Sequence, residues 1–390
     1  MAEGDLDSAP DAAAPPEPRG LRFLGFVGMI DPLRPGAREA VRTCRAAGVE
    51  VVMVTGDHRA TALAIARDLG LAEREEQVVT GADIAGHSPE ELTRVIQRAS
   101  VFARVAPRQK LEIVAAARRA GHFVAVTGDG VNDAPALHAA NIGVAMGRSG
   151  TDVAREASEL VISDDNFATL VAGVEEGRIA YDNIRKVIYL LLSMGAAELV
   201  MVLLAVIWGL PLPLLAVQLL WLNVVTNGIQ GVAIAFEPGE KDILRRRPRR
   251  PSEPIFNPLM IQRMLVATLV VGIGGFLTFL LALRAGWSEA EARNLLLLVM
   301  VLFENFHVAN CRSETQSALA LSPLRSPVLV FGVLGALLVH VLSMYLPFFQ
   351  DILATSSVSP GTWALAIGVA LTVIPVMELH KWWWRRTLLH

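Results

Sequence analysis

The stretch VTGDGVNDAPAL, residues 126–137, joins a short apolar run to a segment of helical character. Two carboxylates, Asp129 and Asp133, stand four residues apart beside glycines, and glycines let a phosphate or a metal ion approach the backbone closely. Carboxylate oxygens are ligands that Mg²⁺ prefers. The stretch therefore predicts a strand, a ligand-binding loop and a helix in succession, with oxygen ligands for Mg²⁺ in the loop.

The same alternation of apolar runs and helical segments extends from residue 21 to about residue 184. The predicted strands are 23–30, 49–55, 101–105, 123–127, 142–146 and 160–162, and the predicted helices are 36–47, 60–69, 89–99, 107–120 and 133–140. Continuously apolar strands that alternate with helices are typical of a parallel sheet covered on both faces. We therefore predict an α/β Rossmann-like domain whose ligands gather at the carboxyl ends of the strands.

Two more polar features fall at or near strand ends in this domain. The triplet Thr55-Gly56-Asp57 ends one predicted strand, where its hydroxyl and backbone N–H groups could hold a phosphoryl group. Lys110 lies near the start of a predicted helix, where its ammonium could neutralise phosphate charge. In the alternative interpretation, Asp57 and Asp129 only cap helices and Lys110 is a solvated surface charge. Three such features in one parallel sheet favour phosphoryl chemistry.

The second half of the chain is more apolar. The formal net charge of −3 divides into −6 for residues 1–186 and +3 for the remainder. A charge so near neutral excludes nucleic acid as a bulk electrostatic partner, and two cysteines cannot frame a disulfide scaffold. Apolar runs near the ~20 residues that cross a bilayer predict six transmembrane helices in contact with membrane lipid, at 187–209, 212–236, 264–283, 295–311, 327–349 and 361–379. Buried core helices of a large soluble protein are the alternative.

Basic residues concentrate in the loops after the second, fourth and sixth predicted spans. Loops rich in Lys and Arg stay in the cytoplasm, so both termini are expected there, in a multi-pass protein of the plasma membrane. The predicted organisation is a disordered lead-in over residues 1–20, rich in Ala, Pro and acidic residues, then an α/β domain over 21–184 and a membrane domain over 185–390.

Several polar residues interrupt the predicted spans. Glu198 lies mid-span, where a carboxylate costs about 2.5–3.5 kcal/mol on insertion scales, so it is expected to line an ion path. Asn223, Thr226 and Asn227 have the spacing of one helix face, and Glu304 lies in the fourth span. Hydrogen bonding between helices is the alternative role, above all for Gln230 and Asn305, while His307 and His340 are expected to be satisfied residues of the bundle.

Residues 126–137 resemble the signature of the P-type cation-transporting ATPases, within the haloacid-dehalogenase-like superfamily. The segments MIDP at 29–32, VTGD at 54–57 and FARV at 102–105, followed by Lys110, resemble that family in order and spacing. Six spans after the phosphorylation domain resemble the type II, calcium-pump-like members. The resemblance extends from about Phe23 to the C-terminus.

The resemblance implies part of a phosphorylation domain followed by an all-α membrane domain of six transmembrane helices, with Mg²⁺ and ATP as cofactors of cation transport. It implies catalytic roles for Lys110, Thr55 and Asp57. The residues that it implies for ATP or phosphate binding are Arg34, Thr55, Gly56, Asp57, Arg104, Lys110 and Asn132. Asp129 and Asp133 would bind Mg²⁺. The transported cation would bind Glu198, Asn223, Thr226, Asn227 and Glu304.

The sequence also departs from the family pattern. No Asp-Lys-Thr-Gly-Thr occurs in the 390 residues, so the aspartate that would be phosphorylated is missing, together with the actuator motif, the nucleotide-binding domain and the first four spans. We therefore expect the chain to be inactive alone and to need a second chain that supplies the N-terminal half. The alternatives are a catalytically silent membrane protein, either a relic or a regulator that binds a full-length pump, and a membrane-tethered Mg²⁺ phosphatase.

The identity of the cation stays open in the sequence. By the resemblance to calcium pumps, Asn227 stands where those pumps have an aspartate, and Gly195 stands where they have an asparagine. Only Glu198 and Glu304 then remain as carboxylates, and two divalent ions need several. One Ca²⁺, a monovalent ion and a proton are all compatible with this set.

Overall fold

The computed structural model describes residues 2–3, 20–27, 32–250, 252–314 and 316–387. Most of the predicted lead-in, residues 1 and 4–19, and most of the MIDP segment therefore lie outside the described residues. The chain divides into two compact units. The α/β unit comprises Met1–Thr43 and Glu50–Leu170, and the helical unit comprises Cys44–Val49 and Val171–His390.

The α/β unit contains two parallel sheets of three strands each. The first consists of β3 (Met53–Val54), β4 (Val78–Thr80) and β5 (Val101–Ala103) in the order β3-β5-β4, and the second of β6 (Ala125–Gly128), β7 (Ile142–Met146) and β8 (Leu160–Ile162) in sequence order. A two-residue antiparallel pair joins β1 (Ala2–Glu3) to β2 (Arg22–Phe23).

The expectation of a single parallel sheet is wrong in this respect. Among the described residues, β3 pairs only with β5 and β6 pairs only with β7, so each of them forms the edge of its own sheet. A continuous sheet would need hydrogen bonds between β3 and β6, or a further strand between them. Neither is found among the described residues. The predicted strand 23–30 forms only the short β2 within the described residues.

The first helices of the chain lie in or begin in the α/β unit. They are α1 (Ala37–Ala46), α2 (Arg59–Leu69), α3 (Pro89–Ile96), α4 (Pro107–Arg119), α5 (Ala134–Ala139) and α6 (Asp152–Glu156). Helix α4 holds the two sheets together, because Ile113 packs in the cluster around Phe102 of β5 while Val114 packs with Val126 of β6. Both sheets consequently share one covering helix.

The helical unit is built from helices of unequal length, the first of which begins at the end of the α/β unit. They are α7 (Phe167–Ile207), α8 (Ala216–Trp221), α9 (Asn227–Ala235), α10 (Pro258–Arg284), α11 (Glu289–Cys311), α12 (Pro327–Ser343), α13 (Pro347–Leu353), α14 (Pro360–Leu371) and α15 (Val373–Thr387). A π-helical turn, Leu222–Thr226, links α8 to α9. Every residue of α11 from 295 to 303 is buried, which places this helix at the centre of the bundle.

Five segments are long and apolar enough to cross a membrane: Phe167–Ile207, Ala216–Ala235, Pro258–Arg284, Glu289–Cys311 and Pro360–Arg386. The sixth predicted span, 327–349, is broken, since α12 and α13 meet at a bend of 90°. The number of spans is therefore six if this bent pair counts as one, and five otherwise. The break lies between Ser343 and Pro347. Pro347 has no backbone N–H to continue α12, and it begins α13 instead.

Candidate functional site

The loop after β6 is held in shape by Asp133. The Gly130 N–H lies 3.3 Å from Asp133 Oδ2, and a Cβ at position 128 would come within 2.6 Å of Asp133 Cβ, so only glycine fits there. Lys110 Nζ donates to Asp133 Oδ1 at 2.7 Å, and both side chains are largely buried. This ion pair brings the start of α4, which follows β5, to the carboxyl end of β6.

The loop after β3 forms a compact turn on the first sheet. Thr55 Oγ1 donates to Asp57 Oδ2 at 2.8 Å, and the Asp57 N–H donates to Thr55 Oγ1 at 3.1 Å. The Arg104 N–H, at a positive φ of 50°, donates to the Asp57 carbonyl at 2.9 Å. The turn therefore spans the ends of the neighbouring strands β3 and β5, with Gly56 and Asp57 exposed.

Arg34 and Asn132 lie apart from that turn. Arg34 Nη1 donates to the Asp165 carbonyl at 2.7 Å, beyond the end of β8, and the Asn132 side chain is exposed in a short 3₁₀ turn. The described hydrogen bonds join Lys110 to Asp133 and Thr55 to Asp57, and they do not join Arg34, Arg104 or Asn132 to that Lys110–Asp133 pair.

Asp165 is a residue that the sequence argument missed. Its carboxylate accepts the N–H groups of Arg148 at 2.9 Å and Ser149 at 2.7 Å, and these bonds, that of Arg148 first, lower the pKa of Asp165 to about 2. Asp165 thus ties the loop after β7 to the loop after β8. The available signal was the pair of carboxylates, Asp164 and Asp165, directly after a predicted strand.

Asp129 and Asp133 are suited to Mg²⁺ by the chemistry of their oxygens. Within the part of the chain that the structure describes, no group of three or more His, Cys, Asp or Glu side chains could hold a metal ion. A magnesium ion in a phosphate site usually binds one or two carboxylates and completes its shell with phosphate and water oxygens. Asp129, exposed beside the Lys110–Asp133 pair, fits that requirement.

The helical unit holds a second polar cluster. Asn223 Nδ2 donates to Glu198 Oε2 at 2.9 Å, joining the π turn to α7. Thr226 and Asn227 are fully buried, whereas Asn223 is exposed, so the π turn separates the three side chains that regular spacing would place on one face. Thr226 Oγ1 donates to the Leu222 carbonyl at 2.8 Å, and the same carbonyl accepts the Asn227 N–H of the π turn.

Several buried atoms of this second cluster have no hydrogen-bond partner within the described part of the chain. They are Glu198 Oε1, both Glu304 oxygens, both polar atoms of the Asn227 amide, Gln230 Oε1 and Asn305 Nδ2. Buried polar groups are normally satisfied, so a concentration of unsatisfied oxygens indicates a ligand. Carboxylate and amide oxygens are suitable ligands for a hard cation.

The residues for which hydrogen bonding within the bundle was the alternative role differ in how far their hydrogen bonds are satisfied. Gln230 Nε2 donates to Asn305 Oδ1 at 2.6 Å, which is a bond between helices. His307 Nε2 is 2.9 Å from Ser193 Oγ, but its Nδ1 has no partner. The expectation that His340 is satisfied is wrong, since this buried side chain finds no hydrogen-bond partner among the described residues for either ring nitrogen.

Comparison with known families divides the chain in the same order. Residues 4–141 match the haloacid dehalogenase-like hydrolases, and residues 211–383 match the family described as cation transporting ATPase, C-terminus. A calcium-transporting ATPase of Bacillus subtilis is 42% identical over 362 residues, and calcium-transporting ATPase type 2C member 1 of Homo sapiens is 36% identical over 369.

A probable cation-transporting ATPase F of Mycobacterium tuberculosis is 42% identical over 364 residues. The alignment covers 93% of the chain for the Bacillus protein, 95% for the human protein and 92% for the Mycobacterium protein. In each case it covers 40% of the relative. The chain therefore spans about two fifths of the length of these relatives. With its apolar helices, it is an integral membrane protein. Over more than nine-tenths of its length the chain is similar to calcium- and cation-transporting ATPases, and it resembles the C-terminal part of the P-type cation-transporting ATPases.

Proposed function

We propose that this chain is the C-terminal part of a pump that couples ATP hydrolysis to cation transport across a membrane. The observation that carries the proposal is the Lys110–Asp133 ion pair at 2.7 Å, because it gathers the carboxyl ends of two parallel sheets around one charged loop. Parallel α/β folds bind their ligands at that edge. The relatives, which are named as cation- or calcium-transporting ATPases, support the same function.

The phosphate-binding residues would act by position and charge. Asp129 and Asp133 would hold Mg²⁺, which neutralises phosphate charge, and Lys110 would add a cation next to Asp133. Thr55, Gly56 and Asp57 would hold the phosphoryl group. Arg34, Arg104 and Asn132 would contact ATP phosphates from the surrounding loops. Removal of the Lys110 charge would leave the Asp133 carboxylate without its partner.

The missing nucleophile has a place in this arrangement. β3 and β6 are edge strands with the Thr55 and Asp129 loops at their carboxyl ends, and α4 packs against both sheets. An added parallel strand could hydrogen-bond to both edges and bring a carboxylate between the two loops. In the proposal, this strand carries the phosphorylated aspartate. A second chain with the N-terminal half would supply it.

The second cluster would bind the transported cation. Glu198 and Glu304 would provide charge, and Asn223, Thr226 and Asn227 would provide neutral oxygens. The unsatisfied buried atoms of Glu198, Asn227 and Glu304 support this proposal. Two carboxylates balance one Ca²⁺, and protonation of one of them would suit a monovalent ion. The proposed location is the plasma membrane, with both termini cytoplasmic, because the Arg-rich loop at 245–250 follows the second span.

The test is co-expression with a chain that carries the phosphorylation motif and the first four spans. ATP labelled at the γ-phosphate should transfer label to that chain only when the present chain and Mg²⁺ are both added. A partner chain alone, or one whose phosphorylated aspartate is replaced by asparagine, should stay unlabelled. No label from the complete mixture would contradict the proposal and favour a silent membrane protein, whereas phosphatase turnover by the present chain alone would favour the tethered phosphatase.

A further inference from the structure

One ion pair in the helical unit is withdrawn from solvent at both ends. Arg312 Nε and Nη2 donate to Glu237 Oε1 at 3.0 and 2.9 Å, and the side chains are 5% and 2% exposed. Glu237 lies two residues beyond the end of α9, and Arg312 directly follows α11. The pair therefore joins the ends of two neighbouring helices.

The same place is tied to α7. Asn183 Nδ2 donates to the Glu237 carbonyl at 2.7 Å and to the Ala235 carbonyl at 3.0 Å. Lys186 Nζ donates to Asn183 Oδ1 at 3.0 Å, which fixes the orientation of that amide. Three elements thus meet at Glu237, and each is held through a hydrogen bond whose partners are buried or partly buried.

The three elements are the ones that carry the proposed cation ligands. These are Glu198 on α7, Asn227 at the start of α9 and Glu304 on α11. Glu304 precedes Arg312 by eight residues, or ~12 Å at the 1.5 Å rise of a helix, and Asn227 precedes Glu237 by ten, or ~15 Å. A shift of one helix along another would therefore separate Asn227 from Glu304.

Stability alone does not account for a buried ion pair. Two well-packed apolar side chains of similar size often give equal or greater stability, because the desolvation of the two charges offsets their attraction. The best-attested use of such buried polar pairs is to specify one register between helices. A two-pronged contact from a planar guanidinium is suited to this use because its geometry is rigid.

We propose that Glu237 and Arg312 form a positioning clamp that holds α9 and α11 in the register at which Asn227 and Glu304 reach one cation. The inference rests on the proposed cation site but can be tested apart from it. The clamp touches neither the cation nor the phosphate, so its two residues are positioning residues and not catalytic residues.

The reporter of register is the Gln230–Asn305 contact, which bridges the same two helices at 2.6 Å. Gln230→Cys and Asn305→Cys are introduced into the full chain with Cys44 and Cys311 replaced by alanine, and the rate of disulfide formation in lipid nanodiscs is measured. In the chain without the reporter cysteines, equilibrium binding of ⁴⁵Ca²⁺ is measured with the same clamp variants.

The decisive variant combines Glu237→Met with Arg312→Met. We expect its thermal unfolding midpoint to stay at or above that of the parent chain, since both charges are removed together. Disulfide formation should nevertheless slow at least five-fold, and ⁴⁵Ca²⁺ affinity should fall at least ten-fold. Parent-like values for both readouts in the folded double variant would overturn the clamp.

Two further variants keep the test decisive. Arg312→Lys retains the charge but not the two-pronged contact, so it should fold and slow disulfide formation by an intermediate factor; if the double variant does not fold, a parent-like rate for this one overturns the clamp. Glu289→Gln, the control, breaks the exposed Arg293–Glu289 pair on α11 and should change neither readout.

The two proposals fail differently. A parent chain that binds no ⁴⁵Ca²⁺, with disulfide formation still slowed in the double variant, would contradict calcium binding and support the clamp. A parent chain that binds ⁴⁵Ca²⁺, with no change in the double variant, would support the cation site and contradict the clamp.

Discussion

At the strand ends of the α/β unit, polar and charged side chains bind one another: Lys110 pairs with Asp133, and the Thr55 hydroxyl donates to Asp57. Inside the helical unit, Glu304 is fully buried, and no described residue hydrogen-bonds to either of its oxygens or to Oε1 of Glu198. The first cluster is half-exposed and satisfied, whereas the second is buried and unsatisfied. Both clusters contain carboxylates and a hydroxyl, but the first also includes the Lys110 ammonium and the second the Asn223 and Asn227 amides.

The difference reflects what each cluster would bind. Phosphate and Mg²⁺ arrive from water at the strand ends, and a network already fixed by ion pairs needs little reorganisation to receive them. A cation in the bundle leaves its water behind, so the oxygens that replace that water cannot be committed to other partners. Unsatisfied oxygens lower the stability of the fold and raise the affinity for a cation.

The largest expected effect is on phosphorylation. Asp129→Ala, tested in the co-expressed mixture, should lower the yield of phosphorylated partner chain by about 100-fold or more, because a stabiliser of phosphate charge is removed. The measurement is the label retained after transfer from ATP. Asp152→Ala is the control, since that exposed carboxylate pairs with Arg155 on α6. A normal yield of phosphorylated partner chain from Asp129→Ala would contradict the proposal that Asp129 binds Mg²⁺.

The next effect is on the cation. Glu198→Gln should weaken equilibrium binding of ⁴⁵Ca²⁺ by about ten-fold or more, which corresponds to about 1.4 kcal/mol, because one of two buried carboxylate charges is lost. The Asn223 amide can still donate to the new side-chain oxygen, so the fold should be retained. Gln350→Glu, a change at the short helix α13 outside the cluster, should leave affinity unchanged. Unchanged affinity in Glu198→Gln would return Glu198 to a structural role.

The sequence predicted the order of elements better than their pairing. The strands 142–146 and 160–162 appear with those bounds, because short apolar runs bounded by polar residues define them locally. The separation of β3 from β6 depends on which strand is available to pair with each edge, and that is not a local property. β4, at Val78–Thr80, was missed because only two of its three residues are apolar, whereas all three residues of 160–162 are.

The candidate sites show the same limit. Loop positions of Asp129 and Thr55 follow from strand ends, so the sequence could place them. The π turn at Leu222–Thr226, which exposes Asn223 while burying Thr226, has no signature in residue spacing. The clamp residues Glu237 and Arg312 are separated by 75 positions, and only packing of the helices brings them together.

The contrast between the two clusters predicts opposite effects on stability. Lys110→Met should lower the free energy of unfolding by about 1–3 kcal/mol, because it leaves Asp133 Oδ1 without a charged donor. Lys110→Arg should recover part of that loss. The measurement is thermal or denaturant unfolding of the full chain in detergent.

In the helical unit, Glu304→Met should raise the free energy of unfolding by about 1–3 kcal/mol, because it removes two buried unsatisfied oxygens from a packed site. The same variant should lose ⁴⁵Ca²⁺ binding. If Glu304→Met lowers stability, its oxygens are satisfied in the folded chain, and the comparison between the clusters is wrong.

The smallest effect is the dependence of stability on pH at Asp165. The N–H of Arg148, and then that of Ser149, lower its pKa from the ordinary 3.8 to about 2, so its contribution to stability is present above pH 3.8 and is lost as pH falls through about 2.

Asp165→Asn keeps a residue that tolerates the positive φ of 55° but removes the charge. The unfolding midpoint of the parent chain should therefore exceed that of the variant at neutral pH, and the two should converge between pH 3.8 and pH 2. Asp164→Asn should show a convergence in the same direction, since the Thr169 hydroxyl and the Asn166 N–H lower the pKa of Asp164. A difference between parent and Asp165→Asn that persists unchanged below pH 2 would mean that the loops after β7 and β8 are held by the shape of the side chain and not by its charge.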